Sequence, residues 1–274
     1  MLISTSKDET YLYINGLAVE RRIPLSSTVE LLPARWVMSR DIIERLCESQ
    51  LDFTVASVFL PRITSQLRVK ASTAHDLAVL AWNSVWDAVL LGAFFDCEAI
   101  CNFQCSTSSE SVGPESQLRI TNYHLRGLGE AHVVTDTEAA WIVSNFERAR
   151  TLLKQKSFQE GVHALASYRW HSVARARLAL LWSGIEGLFG VESEVVFRLS
   201  LYVARFLWPE DNTRRATTFA QVKRLYKSRS SAVHGGTLKG DSQETILQSA
   251  QLLRDLLYRC VAMNAVPDAA SLAP

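Results

Sequence analysis

Val173-Ala-Arg-Ala-Arg-Leu-Ala-Leu-Leu-Trp-Ser-Gly-Ile-Glu-Gly-Leu-Phe189 is the stretch on which the fold turns. Leu178, Leu181, Trp182, Ile185 and Phe189 recur at the spacing of one helix face, and Gly190 supplies the stop. The same period predicts helices at 158–170, 194–208, 218–234 and 242–263. The last of these opens with Asp241-x-x-Glu244, a capping box, and carries Ile246, Ala250, Leu253, Leu257 and Val261 inward. From about residue 157 the chain therefore reads as helices alone, joined by short connections as in a bundle.

Upstream the pattern is mixed. Tyr11–Gly16 and Thr28–Leu32 are short β-type runs bounded by Gly16, Pro24 and Pro33. Ser39 can cap a helix over Arg40–Glu48. Leu51–Lys70 is rich in β-branched residues and reads as strand, with Pro61 at a turn or edge. A long apolar helix follows at Ala74–Phe95, then a Ser- and Thr-rich loop and an alternating segment, Gln117–Leu125. Thr135-x-x-Glu138 is a capping box that opens a helix running to about Leu153. The expected fold class is α+β: a mixed domain at 1–156 of unknown role, a candidate for recognition or regulation, and a helical domain at 157–274.

Composition narrows the function classes. The 274 residues are 48% hydrophobic and 21% charged, with a formal charge of +1. That is a globular composition with no global attraction for polyanions, so any nucleic-acid site must be a local patch. Such a patch exists. Arg214, Arg215, Lys223, Arg224, Lys227, Arg229 and Lys239 fall between Asn212 and Gly240, with no acidic residue among them. They read either as a solvated helix face or as a phosphate-contacting surface.

Five cysteines, an odd number without close pairing, fit a reducing cytoplasm better than a disulfide framework. Cys97, Cys101 and Cys105 would share one face of a helix, but their spacing suits buried thiols better than a zinc or iron–sulfur set, so no metal or other cofactor is expected. Lys7, Asp8 and Glu9 interrupt the N-terminus before a signal-like apolar stretch forms. Leu77–Phe95 is apolar enough to suggest a membrane span, yet Asp87 near its middle would cost about 2.5–3.5 kcal/mol on insertion, which favours a buried helix.

The basic run contains Lys223-Arg-Leu-Tyr-Lys-Ser-Arg-Ser-Ser-Ala-Val-His-Gly-Gly236, and with it Arg229-x4-His234. With 22 Arg and 6 His in the chain, that spacing arises by chance about half a time. A second copy, Arg119 to His124, lies in the alternating segment and reads as a decoy, because residues five apart on a strand point to opposite faces. Around a helix five residues leave Arg229 and His234 roughly 140° apart, so the two converge only where the helix ends. Gly235-Gly236 can end it. His234 would then sit at the negative end of the helix dipole beside a permanently charged guanidinium, a pair suited to cleaving a phosphodiester.

Three segments taken together resemble the Apea-like group of the HEPN superfamily: Arg177–Phe189 with Ile185-Glu-Gly-Leu-Phe189, Phe197–Arg205, and Leu225-Tyr-Lys-Ser-Arg-Ser-Ser-Ala-Val-His-Gly235. The resemblance covers about residues 157–264 and includes the R-x4-6-H motif; residues 1–156 resemble nothing named. The resemblance implies a helical bundle and a metal-independent endoribonuclease of prokaryotic defence or toxin systems. Its site would form where two such domains meet, in a homodimer or higher even oligomer. Arg229 would bind the scissile phosphate and His234 would handle protons. Ser230 departs from the Asn, Asp or His that many active members carry after the Arg, and is a weaker orienting group.

Glu186 is expected either to face the motif and orient Arg229 or to lie exposed on the outer face, and Tyr226 to pack with its hydroxyl at the groove. Arg214, Arg215, Lys223, Arg224 and Lys227 would contact RNA. The implied partners are RNA, a second copy and a protein that silences or triggers the activity, with no membrane. The rival is a non-cleaving HEPN module that binds RNA, a nucleotide or a protein; a helical scaffold without a nucleic-acid role is the third reading.

Overall fold

The computed structural model describes residues 8–36, 38–123, 126, 129–191, 194–233 and 242–273, with backbone alone at 230–233. The chain divides into two compact units, Met1–Glu147 and Arg148–Pro274. Strands and helices mix in the first, and helices dominate the second.

The N-terminal unit begins with β1 (Glu9–Asn15), β2 (Leu17–Ala18), β3 (Ile23–Pro24) and β4 (Val29–Pro33). Helices α1 (Arg40–Leu46) and α2 (Gln50–Phe59) follow, then β5 (Ile63–Lys70) and α3 (Ala74–Phe95). After β6 (Ile100–Cys105), β7 (Leu118–Ile120) and β8 (His132–Val133) comes α4 (Asp136–Leu152). Six strands form one antiparallel sheet in the order β3-β4-β5-β1-β6-β7. The remaining two, β2 and β8, pair in parallel. In β1 every residue from Thr10 to Asn15 is buried, since both faces of the sheet are covered. Helix α3 packs against β1, β5 and β6. The alternate residues Tyr11, Tyr13 and Phe103 meet Ile43, Val55, Ala56 and Phe59 of α1 and α2.

Helix α3 is capped by Thr73, whose hydroxyl accepts from the Asp76 amide at 3.1 Å, and stops at Asp96 in the left-handed conformation. Among the described residues it is the one helix long and apolar enough to cross a membrane, and more than half of its most apolar window is buried in the protein. Asp87 and Ser84 are fully buried with it.

Two sequence expectations are corrected here. Residues 50–59 are helix, not strand: Ser49 caps α2 by accepting from the Asp52 amide at 3.1 Å, and Val55, Ala56 and Phe59 form its inner face. The β-branched Thr54 and Val58 that suggested a strand lie outside that face, and Thr54 returns its hydroxyl to the Gln50 carbonyl at 2.8 Å. Cys101 and Cys105 lie on β6 rather than on a helix with Cys97. The β1–β6 register shifts between Tyr13 and Ile14, skipping Asn102. That bulge turns Cys101 to the opposite face from Phe103 and Cys105.

The helical unit contains α5 (Lys156–Ser167), α6 (Ala174–Phe189), α7 (Val195–Leu207), α8 (Asn212–Val233), α9 (Ser242–Met263) and the short α10 (Ala269–Leu272). Helix α8 starts six residues before its expected first residue, Thr218. Asp211 after Pro209 opens it, its carboxylate accepting from the Arg214 amide at 2.9 Å. Helix α6 packs on α5, α8 and α9. Its Trp182 is fully buried, and Gly190 ends it with φ +58°.

The α5–α6 crossing is set by missing side chains. A Cβ on Gly184 would stand 2.9 Å from Ala164 Cβ and 3.1 Å from Leu253 Cδ2. Gly184→Ala is therefore expected to destabilise by about 1–3 kcal/mol despite the better helix propensity of Ala. Gly187→Ala, whose new methyl would meet only Glu160 Oε2 at 3.6 Å, should be neutral or stabilising by urea unfolding. Equal effects of the two changes would show that the close approach does not matter.

At the start of α4, Glu138 accepts from the Thr135 amide at 2.8 Å and its hydroxyl at 3.0 Å, and lies 3.0 Å from His132 Nε2. Burial works against the carboxylate, but the bonds from Thr135 and His132 outweigh it and hold the group below its ordinary 4.5. A depressed folded value means stability that is present above the unfolded value and lost as pH falls through the folded one. Stability should thus fall below about pH 4.5 with a steeper slope in the wild type than in Glu138→Gln. Thermal melts across that range check the difference.

Candidate functional site

Two facing helices build the site. On α6, Trp182 and Glu186 are one turn apart; on α8, Tyr226 and Arg229 are three residues apart. The Tyr226 ring meets Trp182 edge-on, with centroids 5.2 Å apart at 87°. Arg229 Nη2 lies 3.4 Å from Glu186 Oε1, and the guanidinium stands 5.4 Å from the Tyr226 centroid. Trp182 is fixed in turn by its Nε1, which donates to Ser249 Oγ of α9 at 3.2 Å. The result is a ladder from α9 through α6 to the end of α8.

The period of α8 explains why an arginine is drawn inside. Thr218, Val222 and Leu225 are its buried residues among those described, and Arg229 follows Leu225 by one turn on the same line. Its side chain is 19% exposed and that of Glu186 28%. Among the described residues Arg229 Nε has no hydrogen-bond partner, and Glu186 Oε1 accepts none despite its closeness. The guanidinium is thus oriented by a carboxylate and an aromatic face while part of its donor fork stays unused. Burial, and then the Glu186 charge, push the Tyr226 hydroxyl above its ordinary range, with Arg229 opposing. It remains a neutral phenol at physiological pH.

The other residues singled out in the sequence are distributed. His234, Gly235, Gly236, Lys239 and Asp241 lie outside the described residues, as does the side chain of Ser230. Arg214 stacks 4.6 Å over Trp208 and pairs with Asp211 at 3.3 Å. Arg215 bonds the Asn212 side chain, and Arg224 donates to Gln248 of α9 at 2.8 Å. Lys223, Arg224 and Lys227 are exposed, roughly 120–160° around α8 from Arg229. Of the second Arg–His pair, Arg119 lies on β7 opposite Gln104, and His124 is outside the described residues.

Sequence reading missed Trp182 and Ser249 as supports and Trp208 and Asp211 as partners of Arg214. Trp182 was readable: Trp182-x3-Glu186 repeats the reach of Tyr226-x2-Arg229, so two helices in contact can match ring to ring and charge to charge, whereas Ser249 carries no such signal. No family model, curated protein or solved structure matches the chain.

The ion pair is shielded enough to couple. A double-mutant cycle of Glu186→Gln and Arg229→Met in urea should give an interaction of about 1–2 kcal/mol, with each single change costing more than the pair. Additive losses would mean that the two side chains do not interact.

Proposed function

We propose that the helical unit is a HEPN-type bundle and the chain a metal-independent endoribonuclease. The observation that carries this reading is Arg229: a guanidinium held by Glu186 and Tyr226, with a donor that has no partner among the described residues, on the last described turns of α8 just before His234-Gly235-Gly236. In the proposed reaction the RNA 2′-hydroxyl attacks the adjacent phosphorus and the bond to the 5′-oxygen breaks. A cyclic phosphate and a 5′-hydroxyl result. Arg229 stabilises the charge on the non-bridging oxygens, and His234 exchanges the protons. One motif supplies one imidazole, whereas the reaction uses an acceptor and a donor, so the active species is a homodimer with two motifs at its twofold axis. Such an effector belongs to a cytoplasmic defence or toxin system with a partner that controls it.

A second reading, a non-cleaving module that binds RNA, a nucleotide or a protein, is favoured by two features. Glu186 already engages Arg229, and the exposed Lys223, Arg224 and Lys227 lie on another side of α8.

Incubation of the full chain with total cellular RNA in EDTA separates the two. Cleavage should persist, leave cyclic or 3′-phosphate ends, and fall about 100-fold or more in Arg229→Ala and in His234→Ala. Arg198→Ala, which removes only the exposed α7 pair with Glu194, should cleave as the wild type does. Specific activity should also fall on dilution as the dimer dissociates. Loss of cleavage in EDTA, or free 3′-hydroxyl ends, would overturn the mechanism; RNA binding without cleavage would establish the second reading.

A further inference from the structure

We infer that the cavity between α3 and the β1–β6–β7 side of the sheet, in the N-terminal unit, binds a small molecule that carries a flat aromatic ring and an anionic group. The cavity has a volume of about 580 Å³, inside the roughly 300–1,000 Å³ range of small-molecule sites. Trp82 and Trp86 line it from α3, and Gln104, Arg119, Asn122 and Tyr123 from the sheet side.

The chemistry of those walls selects the ligand. Trp82 is 67% exposed on a helix whose other large side chains are mostly buried, which leaves an indole face at the mouth of a concavity. Tyr123 adds a second ring, its hydroxyl tied to Asp52 Oδ1 at 2.8 Å. A flat ring is the natural filling between such faces. Arg119 is the charged residue of the lining, and no carboxylate lines the cavity among the described residues. Its positive charge is thus left for a ligand anion, in contrast to Arg229, which has Glu186 beside it.

Gln104, opposite Arg119 across β6 and β7, donates one amide N–H to Thr10 Oγ1 at 3.2 Å, which leaves its second N–H and its oxygen to meet a ring edge. Cys101 also lines the cavity, turned there by the bulge at Asn102. Burial pushes its thiol up to about 12, so it stays protonated and the site binds without covalent capture.

The test is titration of the full chain, by calorimetry and tryptophan fluorescence, with adenosine monophosphate, uridine monophosphate and indole-3-acetate. Adenosine, uridine and indole serve as uncharged counterparts. At least one anion should bind saturably and about tenfold or more tighter than its counterpart. Arg119→Met should weaken that anion about tenfold, Arg119→Lys should recover part of the loss, and Trp82→Ala should weaken it by a similar factor. Preference for the monophosphates or for the carboxylate identifies the source of the anion. Three results would overturn the inference: no saturation by any of the anions up to about 5 mM, counterparts that bind equally well, or an Arg119→Met protein that binds as the wild type does. The charge comparison uses wild-type protein and so survives a variant that fails to fold. Binding is read without RNA, so the outcome is independent of whether the helical unit cleaves it.

Discussion

A positive charge on the inner line of α8 is the constraint around which the helical unit is arranged. Thr218, Val222 and Leu225 set that line, and Arg229 continues it where another aliphatic residue would be ordinary. An ion taken out of water costs several kcal/mol unless a partner is placed for it. Helix α6 therefore has to present Glu186 opposite Arg229, and one turn earlier Trp182 opposite Tyr226. With that register fixed, the opposite side of α6 must accept α5 closely, and Gly184 against Ala164 is where it does. The ladder and the glycine crossing are two consequences of one helix serving two neighbours.

Legibility in the sequence followed how local each signal was. Helices α3 and α9 match their expected spans because long apolar patterns with strong ends leave little freedom: Thr73-x-x-Asp76 opens the first. Helix α2 was hidden by Thr54, Val55 and Val58, whose β-branched propensity is weaker than the Ser49 cap and the burial of Val55, Ala56 and Phe59. The early start of α8 was written in Asp211 after Pro209 but lacks an apolar periodic residue to advertise it. Of the candidate site, Arg229, Tyr226 and Glu186 could be named in advance, but Glu186 stayed open between facing the motif and lying on the outer face, and the Trp182–Tyr226 pair was not foreseen. Which face each occupies depends on helix packing that no single helix encodes. The cavity beside Arg119 was less accessible still, since it needs the strand order β1-β6-β7 and the bulge at Asn102, both of them long-range facts.

The two guanidiniums of interest differ in what an incoming anion has to overcome. At Arg119 no carboxylate lines the cavity among the described residues, so a ligand anion would gain a charge-assisted interaction on binding. At Arg229 the anion must share the guanidinium with Glu186 at 3.4 Å, which repels it. Such pairing weakens the hold on a singly charged ground-state phosphodiester and, per unit of charge, weakens stabilisation of the charge that develops during attack to the same degree. On the proposed reading the guanidinium acts through the charge that grows on the phosphate during attack, because only interactions that strengthen toward the transition state accelerate the chemical step. The carboxylate also keeps the guanidinium from wandering, so its unused Nε–H faces one direction before any substrate arrives. A pair that looks like a structural salt bridge is in this sense compatible with catalysis, and its modest exposure is what lets the attraction orient the arginine without neutralising it.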